Sequence, residues 1–272
     1  MSIRCRTRWT AGRASAAEVG QQPLYLGGKV VEFGVGPADE LTGKQAIVGI
    51  ADARVGRTAS GGGSHQRHPG VVVRRRRKPS DDLMTNLVQA EIDGARLTDD
   101  DIGDFLVLIS VAGNDTTKQT TTRVALALHE HPEQRDWLMA DFDGRIVQAA
   151  EEFVRYASPV MQFTRTAAAD TELNGIPIAS GDKVALFYCS GNRDNSVFVD
   201  PEKFDLSRPR TPHVGFGGGG PHFCLGNGVA KTQLRALFRQ LLTRVPHIEF
   251  GEPQPLMSNF INGIVRLPAY IR

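Results

Sequence analysis

The segment 216–226 reads Phe-Gly-Gly-Gly-Gly-Pro-His-Phe-Cys-Leu-Gly, and it limits what this chain can fold into more than any other stretch. Its run of glycines carries no Cβ, so the backbone can turn left-handed and lie flat against a bulky planar group. A single thiol, Cys224, follows at once and stands directly before a stretch at 225–244 that is expected to form the last helix, ended by Pro246. A thiolate at a helix amino end is stabilised by the macrodipole and by backbone N–H donors, which suits it to hold a metal. Two plainer readings compete. A glycine-rich loop before a helix could cradle phosphate, although no Gly-Lys-Ser/Thr follows, and a buried structural thiol is the common fate of cysteine.

The other two cysteines, Cys5 and Cys189, lie far from Cys224 and form no Cys-x-x-Cys pair with it or with each other, which argues against a disulfide framework or a structural zinc site. A reducing, cytoplasmic setting is expected. Cys189 falls in an apolar stretch at 183–189 read as a core strand. His129 and His131 are two apart at a helix end and point in different directions, so they are not expected to share a metal. The 272 residues are 40% hydrophobic with a formal net charge of +2, enough for a real core and without an overall bias toward nucleic acid or an anionic membrane. One local exception is the run Arg74, Arg75, Arg76, Arg77 and Lys78, which could contact phosphates but reads as a solvated linker. The longest apolar run, 105–112, is far too short to span a membrane.

Residues 1–78, with the glycine run 61–63, show no sustained period and are read as irregular; recognisable elements fill 79–272, and the boundary is placed there. Thr98 and Asp101 form a capping box, so a long helix is expected from there to about Glu130, with Ile102, Phe105, Leu106 and Ile109 as its buried stripe. Pro132 opens a second helix, and 147–157 reads as a third, broken by Pro159. Asn174-Gly175 predicts a type I′ hairpin turn. The expected fold class is mainly α with small β-sheets.

A flat glycine-rich face beside a thiolate suits a haem, since an axial thiolate pushes electron density onto the iron and favours cleavage of the oxygen–oxygen bond. The loop resembles the signature of the cytochrome P450 family, Phe-Gly-x-Gly-x-His/Arg-x-Cys-x-Gly. It matches at Gly220, His222, Cys224 and Gly226, and departs in that Gly217 occupies the phenylalanine position while Phe216 sits one place earlier. The wider spacing from His213 through Cys224 is similar to actinobacterial enzymes that hydroxylate methyl-branched lipids and sterol side chains. The resemblance covers about Asp81 to the carboxy end and implies the carboxy-terminal portion of the P450 fold, with the family's usual amino-terminal half missing or replaced.

The resemblance implies a role for each matching residue. Haem b would be held by Cys224 as iron ligand, with Phe216, Gly220 and Gly226 shaping the loop and His222 and Arg165 meeting the propionates. Ala112-Gly113-Asn114-Asp115-Thr116-Thr117 matches the family's Ala-Gly-x-Asp/Glu-Thr-Thr. Ala112 and Gly113 would open a groove over the iron, Thr116 would place a hydroxyl on the oxygen side, and Asp115 would feed protons; a plain helix bend is the alternative. Glu152, Arg155 and Arg208 would form a structural triad, although Glu151 and Arg155 at spacing four would pair as well on physics alone. Lys231, Arg235 and Arg239 recur along the last helix as a basic ladder that could meet an acidic electron donor such as a ferredoxin, or be a solvated face. The implied activity is a monooxygenase that takes O2, two electrons and a hydrophobic small molecule; the alternatives are a non-catalytic remnant and a basic nucleic-acid adaptor.

Overall fold

The computed structural model describes residues 30–34, 69–209 and 212–271. Cys5, the glycine run 61–63 and most of the segment read as irregular lie outside the described residues.

The basic run is not a linker. Pro69 sits at the start of helix α1, Pro69–Arg77, where a missing N–H costs nothing, and Val72 is buried against Val88 of α2, Leu83–Gln89, and Ile102. Arg75 pairs with Asp82, and Arg76 with Asp99 and the carbonyls of Val88 and Leu97. Two short strands, β2 (Glu91–Ile92) and β3 (Ala95–Arg96), then lead to α3, Asp99–Glu130. The expected capping box is formed: Asp101 N–H donates to Thr98 Oγ1 at 3.1 Å, and Thr98 N–H donates to Asp101 Oδ2 at 2.9 Å. Of the predicted stripe only Ile102 is fully buried; Phe105, Leu106 and Ile109 are half-buried, and the buried run lies further along, from Gln119 to Leu128.

Helices α4 (Pro132–Ala140) and α5 (Phe142–Ala157) follow, the latter starting a turn earlier than expected because Asp141 caps it through Gly144 N–H. Its buried face, Phe142, Ile146, Ala149, Ala150, Phe153, Val154 and Ala157, keeps helical spacing and centres the main core with α3, α4, Phe204, Leu206 and the last helix, α7, Asn227–Arg244. Ser158 ends α5 in the left-handed region, φ 40°, unusual for a residue with a side chain. Its buried hydroxyl offsets this by donating to Arg155 O at 2.7 Å and accepting from Asn192 Nδ2 at 2.9 Å.

Small antiparallel sheets complete the fold. β4 (Gln162–Thr166) pairs with β7 (Lys183–Phe187), and β5 (Thr171–Leu173) with β6 (Ile176–Ile178) across Asn174 and Gly175, whose φ of 50° and 79° fit the expected I′ turn. Cys189 is not in a core strand: β7 stops at Phe187, and the thiol lies half-buried in the single turn α6, Tyr188–Gly191. In the last sheet β10 (Ile264–Ile271) pairs with β1 (Val30–Gly34), β8 (Ile248–Phe250) and β9 (Gln254–Pro255). No described helix is long and apolar enough to cross a membrane.

Candidate functional site

Backbone hydrogen bonds build the loop that carries Cys224. Cys224 N–H donates to Phe216 O at 2.9 Å, Phe223 N–H to Gly220 O at 3.1 Å, and Gly217 N–H to Val214 O at 2.9 Å. Between them Gly217, Gly219 and Gly220 hold φ of +90°, +104° and +72°, which residues with a Cβ adopt only at a cost. The departure from the P450-like pattern is therefore taken up in a left-handed tip, while Phe216 keeps its tie to the cysteine. The carbonyl of Cys224 accepts from Asn227 Nδ2 at 2.8 Å, joining the thiol to the first turn of α7. Gly226 runs beside the sulfur; a Cβ there would stand 4.0 Å from Sγ.

A buried ionic knot ties α5 to the segment 192–208 that precedes the loop. Arg155 donates Nε to Glu152 Oε2 at 2.6 Å and Nη2 to Oε1 at 2.7 Å, and its remaining N–H groups reach the carbonyls of Asn192, Pro201 and Lys203. This fork satisfies a guanidinium that is fully buried. Arg208 completes the triad with Nε 3.3 Å from Glu152 Oε2, within ion-pair reach but not aimed for a hydrogen bond. Its Nη atoms donate to the carbonyls of Val199, Asp200 and Lys203. Glu152 rather than Glu151 meets Arg155, a choice that sequence spacing left open. Glu151 faces α7 instead, against Lys231 and His213.

That pairing also dissolves the basic ladder. Lys231 is bound to Glu151 and Arg239 to Asp143, so of the three cations only Arg235 carries no ion pair among the described residues. His131 stands 3.5 Å from Glu133, and no group of three metal-ligating side chains occurs among the described residues.

The middle of α3 runs through 112–117 without a break. Thr116 Oγ1 donates to Ala112 O at 2.7 Å, one of several hydroxyls on this helix that back-bond one turn earlier, with Ser110, Thr120 and Thr122. Ala112 and Gly113 are exposed, and a Cβ added at Gly113 would meet nothing within 4 Å. Arg165 is exposed on β4, donating to Thr164 O at 3.2 Å, and His222 is exposed at the loop.

These residues fit a haem by several tests. Cys224 is half-buried, and a Cβ built at Gly218, Gly219, Gly220 or Gly228 meets open space within 4 Å, so the glycine face is clear for a flat group. The apolar side chains around the thiol, Phe223, Leu225 and Val229, are exposed, Leu225 to 80%. A bulky apolar ligand would cover them.

The cytochrome P450 family profile matches residues 65–270. This chain belongs to the cytochrome P450 family. The match begins before Lys78 and includes helix α1, ahead of the boundary expected from sequence. Among curated relatives, the methyl-branched lipid omega-hydroxylase of Mycobacterium tuberculosis is 50% identical over 195 residues, 71% of this chain and 46% of that protein. The steroid C26-monooxygenase of Rhodococcus jostii is 42% identical over 191 residues, 70% of this chain and 40% of that protein. The chain thus spans less than half the length of these two P450 relatives. Among solved structures, a Mycobacterium marinum cytochrome P450 in complex with pseudoionone superposes with a TM-score of 0.74 at 49% identity, covering 82% of this chain and 53% of that one. A P450 in complex with an acyl carrier protein bearing hexadec-9Z-enoic acid superposes at 0.73 with 28% identity, over 82% of this chain and 56% of that one.

Sequence reasoning missed Asn192, His213 and the role of Glu151. The available signal was the second carboxylate, Glu151, directly beside Glu152.

Proposed function

We propose that this chain is the cysteine-bearing part of a haem-thiolate monooxygenase acting in the cytoplasm on a lipid-like substrate. The balance is one O2, two electrons and two protons per C–H bond, giving an alcohol and water. The observation that carries this reading is the half-buried Cys224 thiol, presented beside an open glycine face by a hairpin tied to α7 and backed by the Glu152–Arg155–Arg208 knot.

Bound haem b would supply the oxygen-activating iron, and a thiolate ligand would favour oxygen–oxygen cleavage. Cys224 would hold it, with Phe216, Gly220 and Gly226 keeping the loop flat and His222 and Arg165 placing cationic or N–H donors toward the propionates. On the opposite side Ala112 and Gly113 would leave space beside α3. The Thr116 hydroxyl would turn from Ala112 O to donate toward the reacting oxygen, and Asp115 would resupply its proton from solvent. The exposed Leu108, one turn before Ala112 on the same face of α3, would meet a hydrophobic substrate. Similarity to a methyl-branched lipid hydroxylase and a steroid monooxygenase supports a long or polycyclic apolar substrate. The electrons would come from a ferredoxin-type protein.

A second reading, a remnant that binds haem weakly and turns nothing over, is favoured by that same open face of α3. One experiment separates the two. Expressed with haem available, the reduced protein exposed to carbon monoxide is expected to show a strongly red-shifted Soret band, abolished in Cys224→Ala. Absence of that band in the wild-type chain, or its persistence in the variant, overturns the proposal.

A further inference from the structure

We infer that Glu151 is a positioning residue for Cys224, its carboxylate tying His213 and Lys231 together and so setting the hairpin that presents the sulfur. The loop is set in this way with or without haem; the consequence for a bound haem rests on Cys224 being its ligand.

The Glu151 carboxylate is shared between two elements. Oε1 accepts from Lys231 Nζ on α7 at 2.7 Å, and Oε2 lies 3.0 Å from His213 Nε2 in the approach to the hairpin. The His213 side chain is buried, and its Nδ1 accepts Gly215 N–H at 3.1 Å. That bond assigns the hydrogen to Nε2, so the imidazole donates to Glu151 and is held at both ends. The hydrogen bond from His213, aided by Lys231, brings the Glu151 carboxyl down to about 2 despite partial burial, so its charge is present wherever the protein works.

Both partners then bear on Phe216. The Lys231 ammonium lies 5.1 Å over the centre of the Phe216 ring, and the His213 ring is 5.8 Å from it. Phe216 is the residue whose carbonyl takes the Cys224 N–H. Two more ties hold the same short segment to its surroundings. Val214 N–H donates to Asn192 Oδ1 at 2.7 Å, and Gly215 is pressed so close that a Cβ would fall 2.7 Å from Val154 Cγ1. The segment 213–216 is therefore pinned, the cysteine loop hangs from it, and Glu151 is the charge that closes the pin.

A bridge that merely adds stability would act like the exposed Asp143–Arg239 pair, which joins the same two helices, α5 and α7. Glu151→Gln removes the charge at constant size, and Asp143→Asn is the matched control. In the haem-free full chain, amide hydrogen exchange at Gly217 and Cys224 is expected to quicken several-fold in Glu151→Gln, with the amides of Phe153 and Val154 unchanged, and to stay at the wild-type rate in Asp143→Asn. In chain loaded with haem, Glu151→Gln is expected to release haem to excess apomyoglobin about 10-fold faster or more, and to show a smaller share of the red-shifted carbonyl band, partly restored in Glu151→Asp. Should Glu151→Gln not fold, Lys231→Met, which keeps the aliphatic stem and lacks the ammonium, is read in the same way. Unchanged exchange at Gly217 and Cys224, or an equal rise throughout α5, overturns the inference; so do unchanged haem release and carbonyl band in a chain that loads haem. Faster loop exchange in a chain that takes up no haem upholds the positioning role and removes the haem reading instead.

Discussion

The two halves of α3 share one unbroken backbone and meet opposite surroundings. From Gln119 to Leu128 the helix buries Gln119, Thr120, Thr121, Thr122, Val124, Ala125, Ala127 and Leu128. Arg123 and Gln119 fasten this half to the carboxy-terminal segment, through Asn262 O at 2.8 Å and Ile264 N–H at 2.7 Å. Between Gly103 and Thr117 no residue is buried, and Leu108 is 63% exposed. The half with Ala112, Gly113 and Thr116 is held by its own hydrogen-bond ladder and by anchors at either end, Ile102 in the small core and the buried half beyond. Helical geometry propagates locally, whereas burial depends on what other elements supply. A segment of this kind can keep its shape and still leave a face free for a ligand.

The contrast between tied and open regions can be broken by substitution. The largest effect is expected at the ionic knot. Arg155→Ala would strip the buried Glu152 of its two-pronged partner, leaving the longer contact to Arg208 and the Asp205 N–H, and should cost about 3–5 kcal/mol, measured by urea denaturation; a loss under about 1 kcal/mol would show that the knot is not the anchor of the tied region. Next comes the buried half of α3, where Leu128→Ala is expected to cost about 2–5 kcal/mol through lost transfer energy and a cavity. Leu108→Ala, on the open half of the same helix, should change stability by no more than about 0.5 kcal/mol in the same assay. An equal cost at the two leucines would mean that the open face is covered in solution.

A pH titration sharpens the tied side. The Glu151 carboxyl lies at about 2 in the folded chain, against an ordinary value of 4.5. Between these values the unfolded chain binds more protons, so stability falls as pH falls. The Glu151 contribution is full above the ordinary value and is lost as pH drops toward about 2. Glu151→Gln should flatten that part of the stability curve and leave the neutral region sloped as before; identical acid limbs in both proteins would contradict the pairing with His213 and Lys231.

Features set within a few residues are legible in the amino-acid sequence. The Thr98 capping box, Pro132 at the start of a helix and the Asn174-Gly175 turn each follow from a local rule and stand where expected. The Cys224 loop and its neighbouring helix belong with them, since glycines that need left-handed backbone announce themselves by type. Local composition misleads where distant partners disagree with it. The arginines of α1 look like a solvated linker until Val72 is found buried beneath them. Likewise Lys231 and Arg239 look like a free basic face until Glu151 and Asp143 on another helix neutralise them.

By itself the sequence determined the Thr98 cap, the helix start at Pro132, the Asn174-Gly175 turn, the glycine loop with its single thiol, and membership in the P450 family through the match at residues 65–270. Tertiary structure alone decided that Glu151 turns to His213 and Lys231 and that half of α3 stays open, whereas the Glu152–Arg155 pairing was already implied by the family motif. The physical reason is range. A cap or turn is settled by neighbours along the chain, while the partners of Glu151 lie 62 and 80 residues away and become neighbours only once α5, the loop and α7 have packed.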